Sequence, residues 1–160
     1  MILEAQPEDI DEVYTLWCEL MDYHRSHHPV FQYNPASATI LKAELVSRLK
    51  DKDSRFFIYQ REQEWVGMLV ANFRRTSEAY ALKARGYIAE TIIREQHRNS
   101  GAGKALFDAA CKWLLDKGAD HIELQVSVKN KNGIKFWESR GFRPSTQHMI
   151  LDLRPLTGKD

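Results

Sequence analysis

The sequence has little cysteine, no long apolar run and almost no excess charge, and each shortage closes off a class of protein. Only Cys18 and Cys111 occur among 160 residues, too few for a disulfide framework. Both sit in apolar-periodic stretches and read as small reduced hydrophobes, the usage of a cytoplasmic protein. Neither has metal-ligand spacing. No stretch of 18 apolar residues occurs, so no membrane-spanning segment is expected. The opening run MILEAQPEDIDE is acidic and lacks the basic start and apolar stretch of an export signal, which fits the same location. With 23 Lys or Arg against 22 Asp or Glu, the net charge is +1, which argues against capture of nucleic acid by bulk charge. There is no repeat, linker or low-complexity segment. What is present is a 43% hydrophobic fraction with 11% aromatics, enough for a packed core. A chain of this length buries about 70% of the surface its unfolded form exposes, so one domain over residues 1–154 is expected, with 155–160 as a frayed tail.

Hydrophobic periodicity sets the expected elements. Residues 2–5 read as a strand, and the acids after Pro7 as the first turn of a helix whose stripe is Ile10, Val13, Tyr14, Trp17, Cys18 and Met21. That helix should fail near His28, because Pro29 disfavours α geometry in the residue before it. After an aromatic loop, residues 36–50 place Leu41, Leu45 and Leu49 on one face. A hairpin follows from Arg55 to Phe73, turning at the charged run REQE, and then a polar loop from Arg74 to Arg85. Tyr87 to Ile93 is a further strand. Residues 103–117 give the clearest helical stripe, with Leu106, Ala109, Ala110, Trp113 and Leu114, closed by Gly118. Ile122, Leu124, Val126 and Val128 alternate as a strand, residues 130–139 form a short helix, and Met149 to Leu153 close the sheet. The order βααβββαβαβ is mixed α/β with one core.

The residues from Ile93 to Lys104 carry the most chemical information. A strand ends, a short turn follows, and Arg98, Asn99, Ser100, Gly101, Ala102, Gly103 and Lys104 open the strongest helix. Helix N-termini present unpaired N–H groups and the positive end of the macrodipole, and glycines let an anion approach without a Cβ in the way. Glycines before a helix also serve as plain punctuation. A P-loop would need Ser or Thr where Ala105 stands, and a dinucleotide fingerprint would need glycine where Leu106 stands.

Arg98, Gly101 and Gly103 fit the Q/R-x-x-G-x-G/A signature of the GNAT superfamily of acetyl-CoA-dependent N-acetyltransferases. Downstream, Asn130, Gly133, Phe136, Trp137, Gly141 and Phe142 fall at the spacings of that family's second signature. The chain resembles this family strongly from about Trp65 to Leu153, and before that only in the order of its elements. The resemblance implies a central mixed, mostly antiparallel twisted sheet flanked by helices. It implies that Arg98 to Lys104 hold the pyrophosphate of coenzyme A. Ile92 and Ile93 would bond the pantetheine arm as an extra strand, with Asn130 on its other side. It also implies a possible homodimer through sheet edges or the C-terminal strands. One departure stands out: the family usually has Tyr, as the acid for the departing thiolate, where this chain has Trp137. An indole N–H cannot serve as a useful acid, so Trp137 can only contact the sulfur or pack on the cosubstrate.

Attack on a thioester needs a neutral amine, and alkylamines are mostly protonated at pH 7, so a base is useful. Glu90, three residues before Ile93, is the candidate, although strand alternation alone does not choose its face. For the amine, Glu19, Asp22, Tyr23, His24, Phe31 and Tyr33 mix carboxylates and aromatics that suit a cation; a solvated helix face followed by a packed aromatic loop is the other reading. His24, His27 and His28 lack an H-E-x-x-H pattern, and no metal is expected. Two functions are compatible with these residues. One is an enzyme that passes an acetyl group from acetyl-CoA directly to an amine-bearing small molecule or protein; the other is a non-catalytic acyl-CoA-binding module.

Overall fold

The computed structural model describes residues 1–27 and 32–157. They form two compact units, Met1–Ser127 and the chain from Val128 onward. In the first unit the elements are β1 (Ile2–Glu4), α1 (Ile10–Arg25), α2 (Ala38–Leu49), β2 (Ser54–Arg61), β3 (Glu64–Arg75), β4 (Ala84–Ile93), α3 (Ala102–Asp116) and β5 (His121–Leu124). The strands make one sheet in the order β1-β2-β3-β4-β5. Every pair is antiparallel except β4 with β5, which are parallel. A parallel pair needs a crossover, and α3 is that crossover. The mixed α/β class with a mostly antiparallel sheet is therefore the one the chain adopts.

The alternation of each strand explains why both faces are covered. Phe56, Ile58, Met68, Val70 and Ile92 share a core with Val13, Leu16 and Leu20 of α1 and Leu45 of α2. Phe57, Leu69 and Ala71 are also buried, on the opposite side of the pleat. There α3 supplies Ala102, Leu106, Ala110 and Leu114, one residue per turn. A Cβ at Gly67 would lie 2.5 Å from Ile93 Cδ1 and 3.3 Å from Leu106 Cδ1, so glycine lets β4 and α3 close over β3. The α1 stripe lies slightly round from its expected position. Leu16 and Leu20 are its deepest residues with Val13, whereas Ile10, Tyr14, Trp17 and Met21 are partly buried. Asp120 ties the start of β5 to the start of β4, its Oδ2 accepting the backbone N–H groups of Lys83 at 2.7 Å and Ala84 at 3.1 Å.

Three expectations need correction. The polar stretch Arg74–Arg85 is mostly strand, since Arg74 pairs with Arg85 and Arg75 with Ala84, leaving a loop only at 76–83. Cross-strand pairing overrides side-chain polarity here, because edge-facing charged residues cost a strand little. The strand expected to reach Val128 stops at Leu124. The second unit holds α4 (Lys131–Ser139) and α5 (Arg154–Thr157) and no strand, so Met149–Leu153 does not close the sheet. A strand needs partners for its N–H and C=O groups, and a unit built of helices offers none; Met149 and Leu151 are exposed. Residues 149–153 are irregular, and the short helix α5 follows them. The break expected at His28 and Pro29 lies outside the described residues.

Candidate active site

β4 and β5 pair only from Arg85–His121 to Ile88–Leu124, while β4 runs on to Ile93. Five residues of β4, 89–93, thus have no strand beside them on that edge, a length of about 16 Å at the usual strand rise. The same stretch begins with a bulge: Val70 pairs with Glu90 and Ala71 with Ile88, so Ala89 is the extra residue and the strand bends there.

The open edge leads directly into the turn expected to bind an anion. Arg94 donates its backbone N–H to Val66 O at 2.9 Å, and Arg98 Nε reaches back to Ile93 O at 3.1 Å. Ser100 Oγ donates to His97 O at 2.6 Å. Asn99 has φ 60° and Gly101 φ 85°, and α3 begins at Ala102. The left-handed conformation at Gly101 favours glycine, and a Cβ built there meets nothing within 4 Å, so the space over the turn is open. The first-turn amides of α3 face it without helical partners. These features fit a diphosphate: backbone donors, a positive dipole end and no side chain in the way. Lys104 is exposed and paired with Asp108 one turn on. Ser100 also lines an open groove of about 600 Å³ with Met1, Tyr59, Arg61, Glu62 and Gln63.

The residues expected to meet an amine are mostly engaged with one another. Glu19 is held by Arg94 through Nε at 3.1 Å and Nη2 at 2.8 Å, and the same guanidinium reaches Glu64 at 2.6 Å. This network joins α1, β3 and the exit of β4. Tyr33 donates to Asp22 at 3.5 Å and packs edge-on against Trp17. Tyr14 and Tyr33 both meet the Cys18 thiol, and that contact, with burial, pushes both phenols above their ordinary range. Both cysteines are half-buried free thiols. His24 and His27 set their Nδ1 atoms 3.3 Å apart, so one donates and the other accepts. Burial, then the neighbouring His27, lowers the His24 pKa. Tyr23 lies edge-on to both rings and carries the Arg98 guanidinium 5.0 Å above its face. The end of α1 thus touches the turn that opens α3. Phe31 lies outside the described residues. Among the described residues no three His, Cys, Asp or Glu side chains converge as a metal site would require.

Glu90 points to the face covered by α1 and α2, in register with Val70. Both of its oxygens accept from Arg48 of α2, Nη1 at 2.7 Å and Nη2 at 2.6 Å. Arg48 also lies over the Phe56 ring at 5.3 Å. Its pKa is raised although burial pulls the other way, because Glu90 bonds and attracts its charged form. Neither Arg48 nor Arg94 was expected at the site, and no local signal marks either one, since their partners lie 42 and 75 residues away.

In the second unit, Asn130 Oδ1 accepts the Gly133 N–H at 3.0 Å and caps α4. A Cβ at Gly133 would lie 2.5 Å from Asn130 Nδ2, so glycine makes room for that cap. Trp137 packs edge-on against Phe136 and Phe142, with ring centres 4.8 and 5.5 Å away.

A splayed parallel pair whose longer strand runs into a glycine-capped helix defines a mixed α/β fold with an open strand edge beside a helix N-terminus. Residues 10–142 match the Acetyltransferase (GNAT) family, and the chain belongs to that family. An N-alpha-acetyltransferase of Sulfurisphaera tokodaii is 27% identical over 103 residues, covering 61% of this chain and 62% of the relative. The match therefore spans somewhat less than two thirds of that protein. Among solved structures, the tetramutant of the Bacillus halodurans protein BH1408 superposes with a TM-score of 0.83 at 24% identity, over 96% of this chain and 99% of that one. A predicted acetyltransferase of Clostridium acetobutylicum, solved with acetyl-CoA, gives 0.80 at 16% identity over 97% of both chains. These likenesses establish the shared fold. No helix among the described residues is long and apolar enough to cross a membrane.

Proposed function

We propose that the protein transfers the acetyl group of acetyl-CoA directly to a primary amine, with both substrates bound together and no acyl-enzyme. The observation that carries this reading is the open edge of β4, continuous with the turn at Arg98–Gly103. The amides of Ala102, Gly103 and Lys104 would hold the pyrophosphate, with Asn99 and Ser100 shaping the turn and Arg98 tying it to Ile93. The free edge through Ile92 and Ile93 would bond the pantetheine arm. The Clostridium neighbour, which has this fold, was solved with acetyl-CoA, and the archaeal relative is named an N-alpha-acetyltransferase.

When bound, acetyl-CoA supplies an acetyl group activated as a thioester. In the reaction an N–C bond forms and the C–S bond breaks; the ammonium gives up two of its three protons, one to the base and one that ends, by way of water, on the departing sulfur. Glu90 receives the ammonium proton, directly or through one water. It does so from the lone-pair sites that Arg48 leaves open. The Ala89 bulge bends β4 beside it, so the carboxylate and the open edge sit on one distorted segment. Trp137 offers only an N–H and leaves protonation of the sulfur to water, a modest demand for a thiol whose ordinary pKa is about 8.5. Cys18 and Cys111 have no part, because neither has a base partner like those that activate a catalytic thiol.

A second reading, an acyl-CoA-binding module, draws on two observations: Arg48 occupies both oxygens of Glu90, and Trp stands at 137. Thiol release from acetyl-CoA over a panel of amines tests both. Release with at least one amine supports the enzyme, and tight binding with no release over the whole panel supports the module.

A further inference from the structure

Glu90 and Arg48 form a half-used ion pair. The Arg48 guanidinium has five N–H donors and spends two of them on Glu90; among the described residues none of the other three has an acceptor. The Glu90 carboxylate has about four lone-pair sites and likewise spends two. The pair is partly open, with the Arg48 side chain 32% exposed and that of Glu90 13%. It lies on the α1/α2 face beside the bulge, where the proposed reaction takes place. Side by side, the two groups present spare donors on one edge and spare acceptors on the other. The chemical complement of that arrangement is a molecule bearing an ammonium and a carboxylate close together.

The neighbouring charges point the same way. A polycationic acceptor would need uncommitted carboxylates, yet Glu19 is held by Arg94, which also holds Glu64. Glu90 is matched by Arg48. Three carboxylates and two guanidiniums leave one net negative charge among these groups, little to hold an acceptor with several positive charges. A zwitterion gains from both members of the pair and brings no net charge.

We propose, building on the acetyltransferase reading, that the acceptor is an amino-carboxylate, such as an amino acid: Arg48 takes its carboxylate and Glu90 its amine. Arg48 is then a specificity-determining residue, and the planar fork matters more than its charge. Glu90 and Arg48 stay joined while the substrate docks across them, so binding costs no separation of charge.

The experiment measures thiol release at saturating acetyl-CoA with three acceptor sets: the common L-amino acids, the matching amino-acid amides, and ethylamine. The wild type is expected to prefer at least one acid over its amide by tenfold or more in kcat/KM, mainly through KM. Arg48→Lys keeps a cation near Glu90 but loses the fork, and should bring acid and amide within about twofold of each other. Arg48→Gln, checked for folding by thermal melting, should likewise bring acid and amide within about twofold of each other. Amides or ethylamine used as well as the acids by the wild type, or an acid preference that survives in Arg48→Lys, overturns this inference alone. No release with any amine overturns the acetyltransferase reading, and this inference with it.

Discussion

The two sides of the proposed site are built from different materials. On the cosubstrate side, the turn from Arg94 to Lys104 works with main chain: a left-handed Gly101, a helix N-terminus and the unpaired edge of β4. On the acceptor side, side chains do the work, and they come from far apart: Arg48 from α2, Glu90 from β4, and Arg94 clamping α1 and β3. A backbone site recognises a shape and charge common to every acyl-CoA. A side-chain site can be rewritten one residue at a time, so the acceptor side is where specificity resides.

That contrast can be broken first at the base. Glu90→Gln should lower kcat by about 10² or more, the usual range for loss of general-base help, while the affinity for coenzyme A stays within twofold. Equal loss of both would place Glu90 on the cosubstrate side. Gly101→Val is the mirror experiment. The left-handed position costs a non-glycine residue about 1–2 kcal/mol, more for a branched one, and its Cβ would enter the open space over the turn. Affinity for coenzyme A measured by calorimetry should fall tenfold or more, with the KM for the amine little changed.

Two smaller effects concern stability rather than turnover. The β2–β3 turn places Glu62 at φ 49° and Gln63 at φ 71°, both left-handed and neither glycine. The double change Glu62→Asn with Gln63→Gly should stabilise the protein by about 1–2 kcal/mol, read as a rise in Tm of roughly 3–6 °C. The smallest effect is a pH dependence. His121 bonds Asp120 at 2.6 Å and Glu123 at 3.0 Å, and these contacts, Asp120 foremost, raise its pKa. Its contribution is therefore full below the ordinary histidine value of about 6.5 and is lost as pH rises through the folded-state value. The lowered pKa of His24 works in the opposite sense: its contribution is full above about 6.5 and is lost as pH falls. Urea titrations at pH 5.5 and 8.5 should show His121→Gln less stable relative to wild type at the acid end, and His24→Gln more stable there.

The same contrast explains what could be read from the residues in order. The anion-binding turn is a contiguous run, Ile93 to Lys104, whose chemistry is local, and the four-residue spacing of Leu106, Ala110 and Leu114 was visible for the same reason. The acceptor side depends on contacts across the fold. Nothing near Glu90 names Arg48, and nothing near Glu19 names Arg94, so Glu19 read as an open carboxylate although it is committed. The Ala89 bulge was equally hidden, because it arises from pairing with β3. At Met149–Leu153 the expected strand is absent: a strand requires a neighbour, and the unit from Val128 has none among its described residues.

The most direct test of the central claim is a two-substrate initial-rate study of thiol release, varying acetyl-CoA against an accepted amine. Direct transfer in a ternary complex predicts intersecting double-reciprocal lines and no burst of thiol when the amine is left out. Parallel lines with a thiol burst would place the acetyl group on the protein itself and contradict the account.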